Sequence, residues 1–324
     1  MDDKPKKREM SKEEIISKLE TTGFPLEITV RKILASNGIE TTSMQYVVEE
    51  GEEKKSKEID AVGNVLYKNV RAAEKNQLNL RIKLVGEVKR WVADNICFYE
   101  VENEGRSLEL SLPNFLNNLH SVREFFGGER ALSKYYADVG YFPVSKSVSM
   151  VNAYEKNGTR RKNEEAEGNE RLYKTAENLS FACEYFHKIS RASISVHDIK
   201  TWKEIGKGIP VHACFPVIFT DARIFKVKAI EPIELEQLTN FVYLFAPPNP
   251  DKIPVTTKKR PYLPIIIANR KGIVDIVALI RKITNKFYGV VEESFKSEKT
   301  FYEEYEDYMR NEHNKRQTIE FADF

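Results

Sequence analysis

Cysteine is scarce in this chain. There are three among 324 residues, Cys97, Cys183 and Cys214, far apart and odd in number. No C-x-x-C pair occurs, which argues against a disulfide framework, a structural zinc site or an iron–sulfur cluster and fits a reducing compartment. Each thiol reads as a small buried apolar group. Long hydrophobic runs are also missing. The most apolar stretches, such as "IPVHACFPVIF", fall well short of the roughly 20 residues a membrane helix needs. The first residues, "MDDKPKKREMSKEE", are charged and contain no apolar core, so no secretory signal is expected and the expected location is cytoplasmic. The glycine-containing "GGER" and "IGKGIP" match neither a Walker nor a dinucleotide loop. The five histidines (His120, His187, His197, His212 and His313) show no ligand spacing of the H-E-x-x-H kind, and no internal repeat, helix-turn-helix or zinc finger is visible. A net charge of +2 leaves nucleic-acid binding to local patches rather than to the overall field.

What is present is a core-forming chain with a wet surface: 41% hydrophobic and 31% charged residues. Residues 1–22 read as a charged arm followed by a short helix. Ser11 is placed to cap that helix, with Glu14 as its capping-box partner. "PLEITVRKILASNG" follows as an amphipathic helix, with Leu26, Val30, Ile33 and Leu34 on one stripe, Pro25 in the first turn and Asn37-Gly38 at its end. Three strands are expected next: "TSMQYVVEE", "KEIDAVGNVLY" and "LRIKLVGEVKRW". A helix followed by three strands suits an α/β fold in which the helix covers a mixed sheet. Residues 103–170 read as a largely helical insertion with a polar, turn-rich end. "RLYKTAENLSFACEYFHKIS" is a strong helix, and "VHACFPVIFTDARIFKVKAI" reads as a strand pair turning at "TDAR". "YLPIIIANRKGIVDIVALIRKIT" gives a strand, a turn at Arg270 to Gly272 and a helix. The core is thus expected in two parts, 23–102 and 171–290, with 291–324 as a charged helical tail.

The chemistry lies in the second and third strands. Asp60 stands among Ile59, Ala61 and Val62, where an ionised carboxylate is costly unless it is paired or binds a cation. On the next strand Val85, Glu87 and Lys89 share a face, with Glu87 and Lys89 roughly 7 Å apart at ~3.3 Å per residue. If the two strands are neighbours, Asp60 comes beside Glu87. Two adjacent carboxylates repel, and a divalent cation resolves the conflict, hard oxygen donors suiting magnesium or manganese. Lys89 would stand next to that cation.

Asp60 on one strand followed by "Glu87-Val88-Lys89" on the next resembles the PD-(D/E)xK nuclease superfamily, whose fold is restriction-endonuclease-like. The order matches from about residue 24 to 98 and again, more weakly, from 170 to 230; Ile59 stands where a literal Pro would precede the Asp. The resemblance implies a mixed central sheet flanked by helices. It also implies Asp60, Glu87 and the backbone of Val88 as ligands for Mg2+ or Mn2+, with Lys89 and a helix carboxylate, here Glu27, in catalysis. The implied activity is hydrolysis of phosphodiester bonds, chiefly in DNA, by an endonuclease that often works as a homodimer. A non-catalytic nucleic-acid- or protein-binding module of the same fold is the alternative, and the residues do not separate DNA from RNA.

Several further residues could add to that motif. Arg90 and Trp91, directly after it, and the basic cluster Arg160, Arg161 and Lys162 are candidate nucleic-acid contacts. The cations would act on phosphates and the indole as a stacking surface, whereas an indole is more often a core anchor. The cluster Lys258 to Arg260 is similar in kind. The bland readings are a surface ion pair for Glu87 and Lys89, and a solvated helix position for Glu27.

Overall fold

The computed structural model describes residues 10–50, 53–73, 76–92, 94–100, 143–152, 164–192, 209–246 and 262–297. Its first helix, α1 (Lys12–Thr21), opens with the expected capping box. The Glu14 N–H donates to Ser11 Oγ at 3.2 Å, and the Glu14 carboxylate accepts from the Ser11 N–H at 2.9 Å. Helix α2 (Phe24–Ser36) carries Pro25 in its first turn and buries Leu26, Val30 and Leu34 at fourfold spacing. Gly38, at φ 73°, ends it in a conformation that favours glycine.

Then come β1 (Thr41–Glu50), β2 (Glu53–Ala73), β3 (Asn76–Lys89) and β4 (Asp94–Tyr99). Strands β5 (Val144–Ser145) and β6 (Ser147–Asn152) precede helix α3 (Glu164–Ala192). The second half holds β7 (Ile209–Thr220), β8 (Arg223–Ile230), β9 (Ile233–Leu238), β10 (Asn240–Phe245) and β11 (Leu263–Asn269). A 3-10 turn (Arg270–Gly272) leads into helix α4 (Ile273–Ser297). The protein is therefore mixed α/β, with four α-helices among the described residues. None of these helices is long and apolar enough to cross a membrane.

Two sheets form. The large one has the order β1-β2-β3-β7-β11-β10-β5 and the small one β6-β4-β8-β9. Within the large sheet β1, β2 and β3 run antiparallel, and β3, β7 and β11 run parallel. All seven residues of β11, "LPIIIAN", are buried, as befits a strand covered on both faces. Strand β3 is two-sided in another way. Leu80, Ile82, Leu84 and Val88 are buried on one face, while Arg81, Lys83, Val85, Glu87 and Lys89 alternate onto the other. Gly86 belongs to the first face because the Phe219 ring lies where a side chain would go, 2.9 Å from the Cβ position.

The face of Val85 is packed by α3. Leu172, Ala176, Leu179, Ala182, Cys183 and Phe186, the apolar stripe of that helix, join Tyr46, Ile59, Val62, Val85 and Ile218 in one cluster. The same cluster takes in Ile96, Phe98, Met150 and Ile224 from the small sheet, so the two sheets share a core. Phe98 of β4 stacks on Phe241 of β10 with centroids 4.1 Å apart and planes 8° from parallel.

The structure departs from the sequence pattern in several places. The strands on either side of "TDAR" both form, but they do not pair with each other. Strand β7 lies between β3 and β11 in the large sheet, while β8 lies between β4 and β9 in the small one. Tight turns favour hairpins in sequence, but here the chain changes sheets at Asp221. Residues 144–152, expected within a largely helical insertion, form strands in both sheets, and α3 begins at Glu164, ahead of its expected start. Trp91 is only 6% exposed and belongs to the shared core, in keeping with the core-anchor alternative for its indole. The basic clusters Arg160 to Lys162 and Lys258 to Arg260 lie outside the described residues, as does most of the expected tail.

Candidate active site at the open end of strands β2 and β3

The site begins with a fault in the sheet. Strand β2 pairs with β1 at Met44↔Ile59 and again at Thr42↔Val62, so two residues of β2, Asp60 and Ala61, oppose the single Ser43. This is a β-bulge, and it puts Ile59 and Val62, three apart, into the same core. On the other side, pairing with β3 ends at Ala61↔Gly86. Asp60 therefore has no register partner in either neighbouring strand.

Side chains take over the backbone bonding there. Asp60 Oδ2 accepts the Val88 N–H at 2.7 Å, in place of a strand carbonyl. The carbonyl of Asp60 accepts from Arg31 Nη2, on α2, also at 2.7 Å. An extended residue directs its N–H and C=O to the same side, so the Val88 carbonyl leaves the strand on the Asp60 side as well.

Lys89 joins the two carboxylates. Its Nζ forms an ion pair with Glu87 Oε2 and lies 3.6 Å from Asp60 Oδ2. The Glu87 side chain is 3% exposed, against 21% for Asp60 and 32% for Lys89. Burial pushes the Glu87 carboxyl up to about 7, Lys89 opposing the rise and the charge and hydrogen bond of Asp60 adding to it. Burial works against the charge on Lys89, but the Glu87 and Asp60 carboxylates outweigh it and its pKa is raised. Glu27 is close enough to feel the same charges. Its pKa is raised by burial and by Asp60, while Arg31 and Lys89 pull it down. Glu27, Asp60, Glu87 and Lys89 thus share one locality, with Val88 as its backbone element.

The segment after β3 is held separately. Asp221, at the end of β7, accepts the Trp91 N–H at 2.6 Å through Oδ1 and pairs with Arg90 Nε at 3.8 Å through Oδ2. Asp94 is buried and pairs with Arg171 at 3.1 Å. Arg90 is exposed but spends its charge on Asp221. Neither Arg31 nor Asp221 was singled out from sequence. A guanidinium four residues after Glu27 on one helix face was the available signal for Arg31; Asp221 had none beyond its place in a turn.

The donors at the site are oxygens: two carboxylates and a backbone carbonyl, with Glu27 nearby. Among the described residues no group of three or more His, Cys, Asp or Glu side chains is gathered around a common point. The set therefore fits a hard cation that keeps several waters, as magnesium does, and does not fit a fully protein-ligated or thiolate site. The ammonium of Lys89 lies against both carboxylates and offsets part of their charge. Comparison with protein-family models, curated proteins and solved structures finds no match to this chain.

Proposed function

We propose that the protein is a metal-dependent nuclease of the PD-(D/E)xK type, hydrolysing phosphodiester bonds in DNA. The observation that carries this reading is Lys89 in contact with both Glu87 and Asp60 where the β2–β3 ladder opens. Asp60, Glu87 and the Val88 carbonyl would hold Mg2+ or Mn2+. A cation there would polarise a phosphate oxygen and lower the pKa of bound water. The Val88 N–H donates to Asp60 Oδ2 and so fixes the orientation of that carboxylate. Glu87 is the buried member; burial favours its neutral form below about pH 7, and a cation there would favour the ionised one. Lys89 is one-third exposed and can donate to a phosphate oxygen or to the attacking water, placing positive charge where negative charge develops. Glu27, in the first turn of α2, would accept a proton from the attacking water.

Purified protein incubated with linear and circular duplex DNA, single strands and RNA, in magnesium, manganese or EDTA, tests the proposal. Lys89→Ala is the control. Cutting of DNA that needs metal and falls by about 10²-fold or more in the variant is the expected result. Equal cutting by the variant would exclude the assigned role. Tight binding without cutting in any metal would favour the non-catalytic module, and cutting of RNA alone would move the substrate.

A further inference from the structure

The bulge at Asp60 raises the question of what keeps it from annealing into a regular ladder. A residue with no register partner in β1 or β3 leaves a strand carbonyl to be satisfied. The donor comes from another layer: Arg31 of α2 reaches the Asp60 carbonyl at 2.7 Å. The guanidinium makes this reach at a cost, because its Nε is buried without a hydrogen-bond partner. A fork with one arm unsatisfied is a poor device for tying a helix to a sheet, since a lone lysine or glutamine would strand fewer donors. It suits a group fixed by two neighbouring demands. The first is the Asp60 carbonyl. The second is the charge of Glu27, one turn earlier on α2, which Arg31 offsets.

We propose that Arg31 is a positioning residue. By holding the Asp60 carbonyl it maintains the bulge, and the bulge turns the Asp60 carboxylate onto the Val88 N–H and beside Lys89. It acts on the site through Asp60 and touches no reacting atom. The link to metal binding rests on the reading of Asp60 as a ligand; the link to the bulge does not.

Two full-chain variants separate these links: Arg31→Met, which removes the donor, and Arg31→Lys, which keeps the charge and loses the fork. Amide hydrogen exchange in EDTA reads the bulge directly, because the Val88 N–H is the donor to Asp60. Loss of one hydrogen bond predicts exchange at Val88 about 10-fold faster in Arg31→Met, with the Leu84 amide, in the intact part of β3, little changed. Arg31→Lys should behave like Arg31→Met. Mn2+ titration followed by electron paramagnetic resonance reads the second link, and affinity should fall about 10-fold. Unchanged exchange at Val88, or equal acceleration at Val88 and Leu84, overturns the proposal, the latter by showing a merely structural tie. Full recovery in Arg31→Lys overturns it too, by reducing the role to charge. Accelerated exchange with unaltered Mn2+ affinity refutes the coupling to the site. If the parent protein binds no Mn2+ but Val88 responds as described, the metal reading fails and the positioning of Asp60 stands.

Discussion

Glu87 offers the sharpest energetic test. Its carboxyl is almost wholly buried and titrates near 7 rather than at its ordinary 4.5. A carboxyl whose folded-state pKa is raised binds more protons in the folded chain than in the unfolded one between those two values. Stability contributed by this group is therefore fully present below pH 4.5, falls as pH rises through the window, and is lost above about 7. At ~1.36 kcal/mol per pH unit the loss is ~3 kcal/mol, a large part of the 5–15 kcal/mol typical of a domain. Glu87→Gln keeps the shape and cannot titrate. Urea unfolding of both proteins in EDTA at pH 4.5, 5.5, 6.5 and 7.5 should show the variant gaining on the parent by ~3 kcal/mol across the series. The raised pKa values of Glu27 and Asp221 tilt both curves in the same direction and largely cancel in the difference. Lys89 stays charged throughout the window, because its own pKa is raised above 10.5. A difference that stays flat within ~1 kcal/mol would refute the argument that Glu87 is a desolvated and undercompensated carboxylate. Magnesium adds a second arm. A cation that binds ionised Glu87 should stabilise the parent more at pH 7.5 than at pH 4.5, by ~2.7 kcal/mol at a hundredfold excess over Kd. It should do little for the variant.

Other expectations follow from neighbouring contacts. Gly86→Ala would force a methyl to within 2.9 Å of the fully buried Phe219 ring, and should lower stability by ~1–3 kcal/mol in denaturant melts. Asn269 caps the approach to α4, its Oδ1 accepting from the N–H groups of Lys271 at 3.1 Å and Gly272 at 3.3 Å. Asn269→Ala should cost ~1 kcal/mol without changing metal binding. Phe98→Ala removes the ring stacked between the two sheets and should cost ~3–5 kcal/mol in the same melts.

The sequence pattern revealed the elements whose burial is one-sided or periodic. Leu26, Val30 and Leu34 mark α2 because that helix has one face in water, and Leu179, Ala182 and Phe186 mark α3 for the same reason. Strands β1 to β3 were legible from alternation, and Asp60 stood out because a carboxylate among Ile59, Ala61 and Val62 conflicts with a buried strand. Strands β5 and β6 were not legible: a two-residue strand has no period, and "SVSMVN" carries little apolar signal of its own. The separation of β7 from β8 was hidden for another reason. A short turn such as "TDAR" reports that the chain reverses or bends, while the choice of partner depends on β3, β11, β4 and β9, all distant in sequence.

The bulge belongs to this second kind of information, and it changes what the motif means. A regular ladder would have paired Asp60 with Glu87 through their backbones, with each side chain set by the pleat. Instead the ladder stops one residue short, so the Asp60 carboxylate does the work of a strand carbonyl toward Val88. Its orientation then depends on the sheet defect rather than on its rotamer alone. The defect in turn depends on Arg31, from a helix that precedes it by a whole strand. Spacing along the chain could bring Asp60, Glu87 and Lys89 to the same end of two strands. Holding them in contact needs a donor from outside the sheet, and that requirement appears only once α2 is laid across it.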